Sequence, residues 1–246
     1  MTTIGENKVY EYLMSLGFIV TKIPESSQQT PDFLVSDKVS QYVIEVKDKD
    51  NQKFIDLIDG KNTYGKVNLE YDNVISGIIR EGVSQLDSYD SQEKVFRIIW
   101  FFIDTNFFGG SLSLQIGKTL YGLQEIEGYR VNGEFFKTIC YYFTFSEFFR
   151  NKQLDAVIVQ SPTESILCVN DFSAQRDEFR QTRLYQSFVE NNLYIIEPSK
   201  SRCCVADNFT SLDRKNSKAV ADYIGKKYNL REITAYSYNL VSLPIE

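Results

Sequence analysis

The 246-residue sequence predicts a mixed α/β protein. A mixed central sheet flanked by helices is expected over residues 1–104, and an α+β extension over residues 105–246. Three observations predict this. Ile4, Val9, Tyr12, Leu13 and Leu16 recur at helical spacing. Two short apolar runs, 32–36 and 41–47, flank the polar stretch Ser36-Asp37-Lys38-Val39-Ser40, as two strands of a hairpin would. Val95 to Ile103 is almost continuously apolar, as in a strand covered on both faces.

Taken in order, Thr3-Ile4-Gly5-Glu6 matches a capping box that opens the first helix with Glu6 at its third position, and Gly17 closes it. Phe18 to Ile23 reads as a strand ended by Pro24. Residues 25–30 form a polar loop, and strands follow at Asp32–Ser36 and Gln41–Lys47. Residues 48–65 are polar and read as a mobile loop; Asp48, Lys49 and Asp50 are within reach of a metal held at Asp32 and Glu45 but read first as a solvated charge run. Val74, Ile75, Ile78, Ile79, Val83 and Leu86 mark an amphipathic helix. The strand at 95–103 completes the first part.

In the extension, Leu112, Leu114, Ile116, Leu120 and Tyr121 alternate after Gly109-Gly110 and predict a hairpin. Gly117-Lys118-Thr119 is not a phosphate loop, because the pattern needs glycine where Leu112 stands. The aromatic stretch 135–149 reads as core rather than a base-stacking surface. A hairpin around Ser161-Pro162, a helix over 175–190 with Arg176, Arg180 and Arg183 on one side, a short strand at 193–196 and a helix at 217–228 follow. Residues 200–231 are basic. This end and the arginine row are the candidates for phosphate contacts, with a solvated helix surface as the equal alternative.

Composition narrows the chemistry. The net charge is -6, which argues against nonspecific coating of nucleic acid but leaves local basic contacts open. The chain has no histidine. That removes Ser-His-Asp and Cys-His hydrolases, His-ligated zinc and His-based proton transfer, and leaves chemistry built on Asp, Glu and Lys. Cys140, Cys168, Cys203 and Cys204 lack metal-site spacing and read as free thiols. With no signal peptide and no apolar run of spanning length, a cytoplasmic protein without membrane contact is expected.

The chemistry concentrates at Pro31-Asp32 and Glu45-Val46-Lys47. Residues two apart on a strand share a face, so Glu45 and Lys47 point one way and Val46 the other. Charges at the end of a buried strand are costly unless paired or bound to an ion. With Asp32 from the neighbouring strand, they form a cluster of two carboxylates and one ammonium. Such a set suits a hard divalent cation.

Pro31-Asp32, twelve intervening residues, and Glu45-Val46-Lys47 resemble the PD-(D/E)xK nuclease superfamily. Its core runs helix, three strands, helix, strand, the order read above; the resemblance ends near residue 104. It implies a restriction-endonuclease-like core. Asp32, Glu45 and the Val46 carbonyl would hold Mg²⁺, with Mn²⁺ as a substitute, and Lys47 would orient or help deprotonate the attacking water. Several relatives place a first-helix glutamate beside the metal, which implies that role for Glu6 alongside its capping one. Gln85 and Tyr89 resemble the Q-x-x-x-Y motif of the RecB-like branch and would support the site. The implied activity is a DNA endonuclease of restriction, defence or repair type, with RNA left open as substrate and a homodimer as the family expectation. The alternatives are a catalytically inactive nuclease fold that binds nucleic acid or acts as a scaffold, and an unrelated mixed α/β protein.

Overall fold

The computed structural model describes residues 3–24, 30–49, 66–69, 72–89, 94–104, 109–162, 164–200, 203–207, 211–236 and 238–241. Of the loops expected at 25–30 and 48–65, residues 25–29 and 50–65 lie outside them, as does Arg202 of the basic end, whereas Asp48 and Lys49 continue a strand. The described residues form a mixed α/β protein with seven α-helices, a seven-stranded mixed sheet, a four-stranded mixed sheet and one two-stranded pair. No helix among them is long and apolar enough to cross a membrane.

The chain divides into two compact units that interleave in sequence. The first comprises Met1–Asp56, Gly77–Ser113 and Asn151–Glu197. It contains α1 (Ile4–Ser15), β1 (Ile19–Lys22), β2 (Phe33–Ser36) and β3 (Gln41–Lys49). β4 (Lys66–Leu69) belongs to the second unit. Most of α2 (Asn73–Asp87) and all of β5 (Phe96–Ile103) belong to the first.

β1, β2 and β3 pair antiparallel, as the hairpin reading requires, and β3 runs parallel to β5. The sheet does not stop at residue 104. β8 (Ala156–Gln160) pairs parallel with β5, β9 (Ser165–Val169) turns back on β8, and β10 (Tyr194–Ile196) closes the order β1-β2-β3-β5-β8-β9-β10. The apolar run of β5 accounts for this. A strand buried along its length needs a neighbour on each side, and β8 supplies the second.

Two faces of β3 and β5 are buried differently. Ile44, Val46, Ile98 and Trp100 join Val9 and Leu13 of α1 in one apolar cluster. Glu45, Lys47 and Ile99 lie on the other face, and α2 packs there through Gly82. Gly82 lets the helix come close: a Cβ would lie 2.9 Å from the Ile99 Cδ1 and 3.4 Å from the Lys47 Cε.

The second unit comprises Leu57–Ser76, Leu114–Arg150 and Pro198–Glu246. Its four-stranded sheet has the order β11 (Cys204–Val205), β7 (Phe135–Tyr141), β6 (Gln124–Arg130), β12 (Leu230–Tyr236). β13 (Tyr238–Val241) pairs with β4.

Three expectations are corrected. The hairpin predicted over 112–121 is instead α3 (Gly109–Tyr121). Leu112, Ile116 and Leu120 are four apart, a spacing that satisfies a strand and a helix alike, and α3 is buried on nearly every side. The helix expected at 175–190 is two. After α4 (Glu147–Arg150), α5 spans Arg176–Phe179 and α6 spans Arg183–Glu190, because the Thr182 hydroxyl accepts from the Tyr185 N–H and starts a new helix. The aromatic stretch 135–149 is only partly core: Tyr142, Phe143 and Phe148 are buried, whereas Phe135 is exposed.

Past α3 the chain turns at Gly122, whose φ is +58°. A Cβ there would lie 2.5 Å from the Thr144 carbonyl oxygen and 2.6 Å from that of Phe145. Gly122→Ala meets both left-handed strain and a backbone collision. It is expected to cost at least about 2 kcal/mol, read as a fall in thermal midpoint of roughly 4 °C or more. A midpoint unchanged from wild type would contradict this.

Candidate active site

The site lies within the first unit, where the ends of β2 and β3 meet α1 and α2. Phe33 opposes Ile44 in the antiparallel register, so the next step brings Asp32 opposite Glu45. The backbone fixes this. The Asp32 N–H donates to the Ile44 carbonyl at 3.1 Å, and the Asp32 Oδ2 accepts from the Val46 N–H at 2.8 Å. Pro31 precedes Asp32 and favours the extended entry this geometry needs.

Glu45 is 3% exposed, while Asp32 is half-buried, so solvent reaches the pair from the Asp32 side. Burial raises the Asp32 carboxyl above its ordinary value, and the charge of Glu6 adds to this; the Val46 N–H and Lys22 oppose it. Burial pushes Glu45 up to about 8, and the Asp32 charge adds to that; Lys47 pulls the other way. Two carboxylates in one dry corner resist sharing two negative charges. The buried Glu45 Oε2 has no hydrogen-bond partner among the described residues.

Lys47 answers part of that charge. Its Nζ lies 3.0 Å from the Glu45 Oε1 and donates to the Gln85 Oε1 at 2.6 Å and to the Glu81 Oε1 at 3.3 Å. An ammonium has three N–H donors, and three acceptors stand around this one. Gln85 and Glu81 are one turn apart on α2 and face the sheet together.

Tyr89 is placed differently from Gln85. α2 ends at Asp87, so the shared face that an i,i+4 spacing gives inside a helix does not extend to Tyr89. Among the described residues no hydrogen bond joins its phenol to Lys47 or Gln85.

Glu6 has the capping position expected of it: its N–H donates to the Thr3 Oγ1 at 3.1 Å. Its buried carboxylate pairs with Lys22 at the end of β1, and its charge reaches Asp32. Two contributors, Lys22 and Glu81, are not singled out by the sequence pattern, and a third, Asp48, has a role other than the loop charge expected of it. Lys22 neutralises Glu6 and opposes the rise at Asp32. Asp48 accepts from the Gly5 N–H at 2.8 Å, tying the first turn of α1 to β3, because that strand runs two residues past Lys47. Glu81 was visible in principle, since it lies four residues before Gln85 on a helix.

The donor set fits a hard cation: buried oxygen ligands, a carboxylate oxygen without a hydrogen bond, and two carboxyls whose ionised forms need a positive charge. Among the described residues no three His, Cys, Asp or Glu side chains are grouped to hold an ion. The protein's share would be Asp32, Glu45 and the Val46 carbonyl, with water or phosphate oxygen completing it.

Five of the basic residues expected to touch phosphate are engaged within the chain. Arg180 pairs with Glu197 and Asp177, Arg176 with Asp177, and Arg183 donates to the carbonyls of Leu16 and Gly17. Arg214 holds the carbonyls of Tyr142 and Ala206, and Lys227 pairs with Asp207. The break between α5 and α6 removes the single helical face on which the arginine row was expected.

Enlarging Gly82 should disturb the site through both its helix and its lysine, because a Cβ there already lies 3.4 Å from the Lys47 Cε. Gly82→Leu would push α2 off β3 and lengthen the Lys47–Gln85 hydrogen bond. In the nuclease reading below, activity is expected to fall roughly tenfold to a hundredfold with the fold retained. Unchanged turnover in a folded variant would show that Gln85 does not position Lys47.

No family model, no curated protein and no solved structure matches the chain.

Proposed function

We propose that this chain is a divalent-metal-dependent nuclease acting on DNA, with the seven-stranded unit as a restriction-endonuclease-like core. The observation that carries this reading is the meeting of Asp32, Glu45 and Lys47 at adjacent strand ends, with Lys47 held by Gln85. Support for the fold comes from the order within the first unit: helix, three antiparallel strands, helix, then a parallel strand beside the third, with β4 of the second unit intervening in the chain.

Asp32, Glu45 and the Val46 carbonyl would hold Mg²⁺ or Mn²⁺. When bound, the ion would lower the pKa of a coordinated water and neutralise charge on a phosphate oxygen. Lys47, steadied by Glu45 and Gln85, would orient the attacking water and offset charge building on the scissile phosphate. Glu6, through Lys22 and its own charge, tunes Asp32, and Asp48 keeps α1 docked beside the pair.

The test is cleavage of supercoiled, linear duplex and single-stranded DNA, with RNA beside them, in Mg²⁺, Mn²⁺ and chelator. Metal-dependent cleavage lost in Asp32→Ala is expected. Absence of cleavage on every substrate, with or without metal, would leave an inactive nuclease fold as the better reading.

A further inference from the structure

The four-stranded sheet of the second unit has two unlike faces. One carries Ile126, Cys140, Ile233 and Ala235 and is covered by α7 (Ser217–Tyr228). On the other, pairing register sets Arg231 of β12 beside Tyr129 of β6, and Tyr129 beside Phe135 of β7. Tyr236 pairs with Glu125, four residues before Tyr129, so it belongs to the same face. Tyr129, Phe135 and Tyr236 are 43%, 53% and 44% exposed. The Tyr129 and Phe135 rings meet edge to face, with centroids 5.8 Å apart.

Two exposed rings in register, with a third further along the same face, are not explained by packing within the chain. The charges around them point to the occupant. Glu125 is paired with Lys137, Glu127 with the Tyr236 hydroxyl, and Glu134 with Arg130. The Arg231 guanidinium, exposed and in line with the two rings, has no acidic partner among the described residues. Among the described residues the face therefore offers π surfaces, three carboxylates answered within the sheet, and Arg231 without an acidic partner, although Glu232 stands exposed next to it in the bulge. That combination fits unpaired bases joined by phosphates. It does not fit a duplex, whose bases are already stacked on one another.

We propose that this open sheet face is a stacking platform for single-stranded DNA, with bases on Tyr129, Phe135 and Tyr236 and a backbone phosphate on Arg231. The choice of DNA rests on the nuclease reading; the platform itself does not.

The experiment is fluorescence anisotropy of the full chain in chelator with labelled oligothymidylate, with a duplex and an oligouridylate of equal length as competitors. The single strand is expected to bind at least about tenfold tighter than the duplex. Tyr129→Ala and Phe135→Ala should each weaken it roughly fivefold to a hundredfold. Arg231→Ala should lower the slope of log affinity against log salt by about 0.7. Val39→Ser, at an exposed hairpin tip in the other unit, should change nothing. Unchanged affinity in the folded ring variants, or equal binding of duplex, would overturn the platform, and preference for the RNA would overturn its assignment to DNA. Cleavage assays on the same variants separate the two proposals: intact binding without cleavage supports the platform while sinking the nuclease reading.

Discussion

Lys47→Ala is expected to reduce metal-dependent cleavage by roughly a hundredfold to ten-thousandfold while leaving the fold in place. The ammonium is the one positive group between Glu45 and Gln85, 3.0 Å and 2.6 Å from their oxygens. Nothing else in the described site can replace it, since Lys22 is engaged with Glu6. Removing one partner of a buried ion pair is ordinarily destabilising, because the other charge is left dry. Here burial pushes Glu45 up to about 8, so at pH 7 it is already largely neutral and removing Lys47 leaves no bare charge behind. The loss should therefore appear in turnover and not in the thermal midpoint. Lys47→Arg is expected to restore little, since a planar guanidinium cannot meet three acceptors arranged around a point. Steady-state cleavage beside circular dichroism checks this; a folded Lys47→Ala variant that cleaves as fast as wild type would remove lysine from the proposed chemistry.

The second large effect is in stability. Glu45 has a folded pKa of about 8, above its ordinary 4.5, with burial as the main cause. Between those values the folded chain keeps a proton that the unfolded chain has released. Stability is therefore fully present below about 4.5 and falls as pH rises toward 8. Asp155 acts in the same direction over a lower window, with burial raising it to about 6. The interval from pH 6 to 8 thus reports mainly on Glu45. In metal-free buffer the unfolding free energy should fall across the two windows by a total on the order of 2–5 kcal/mol. Glu45→Gln should flatten the upper interval and leave in the lower one only the fall that Asp155 contributes. Saturating Mg²⁺ should restore the wild-type protein at pH 8 but not Asp32→Ala. Denaturant titrations at fixed pH give the readout; a slope between pH 6 and 8 that survives Glu45→Gln would show that its burial is not the cause.

The legible part of the site rested on local rules. A two-residue strand period put Glu45 and Lys47 on one face, and a short polar loop between two apolar runs brought Asp32 opposite Glu45. Helical periodicity placed Gln85 on a helix over that face. What escaped depends on where elements stop and what lies across from them. β3 continues to Lys49, which makes Asp48 a strand residue that holds α1 instead of a loop charge. α2 stops at Asp87, which separates Tyr89 from Gln85. Lys22 meets Glu6 only because β1 ends beside the first turn of α1. The interleaving of the two units was out of reach for the same reason. Pairing of β8 with β5 joins residues about sixty apart, and no local pattern records it.

The central claim is that Asp32 and Glu45 seat one hard divalent ion. Calorimetric titration of Mn²⁺ into the metal-free chain near pH 8, with the ion's paramagnetic resonance signal read in parallel, tests it without requiring cleavage. One ion bound per chain, lost in Asp32→Ala and weakened in Glu45→Gln, is the predicted result. No saturable binding, or equal binding by wild type and Asp32→Ala, would contradict it.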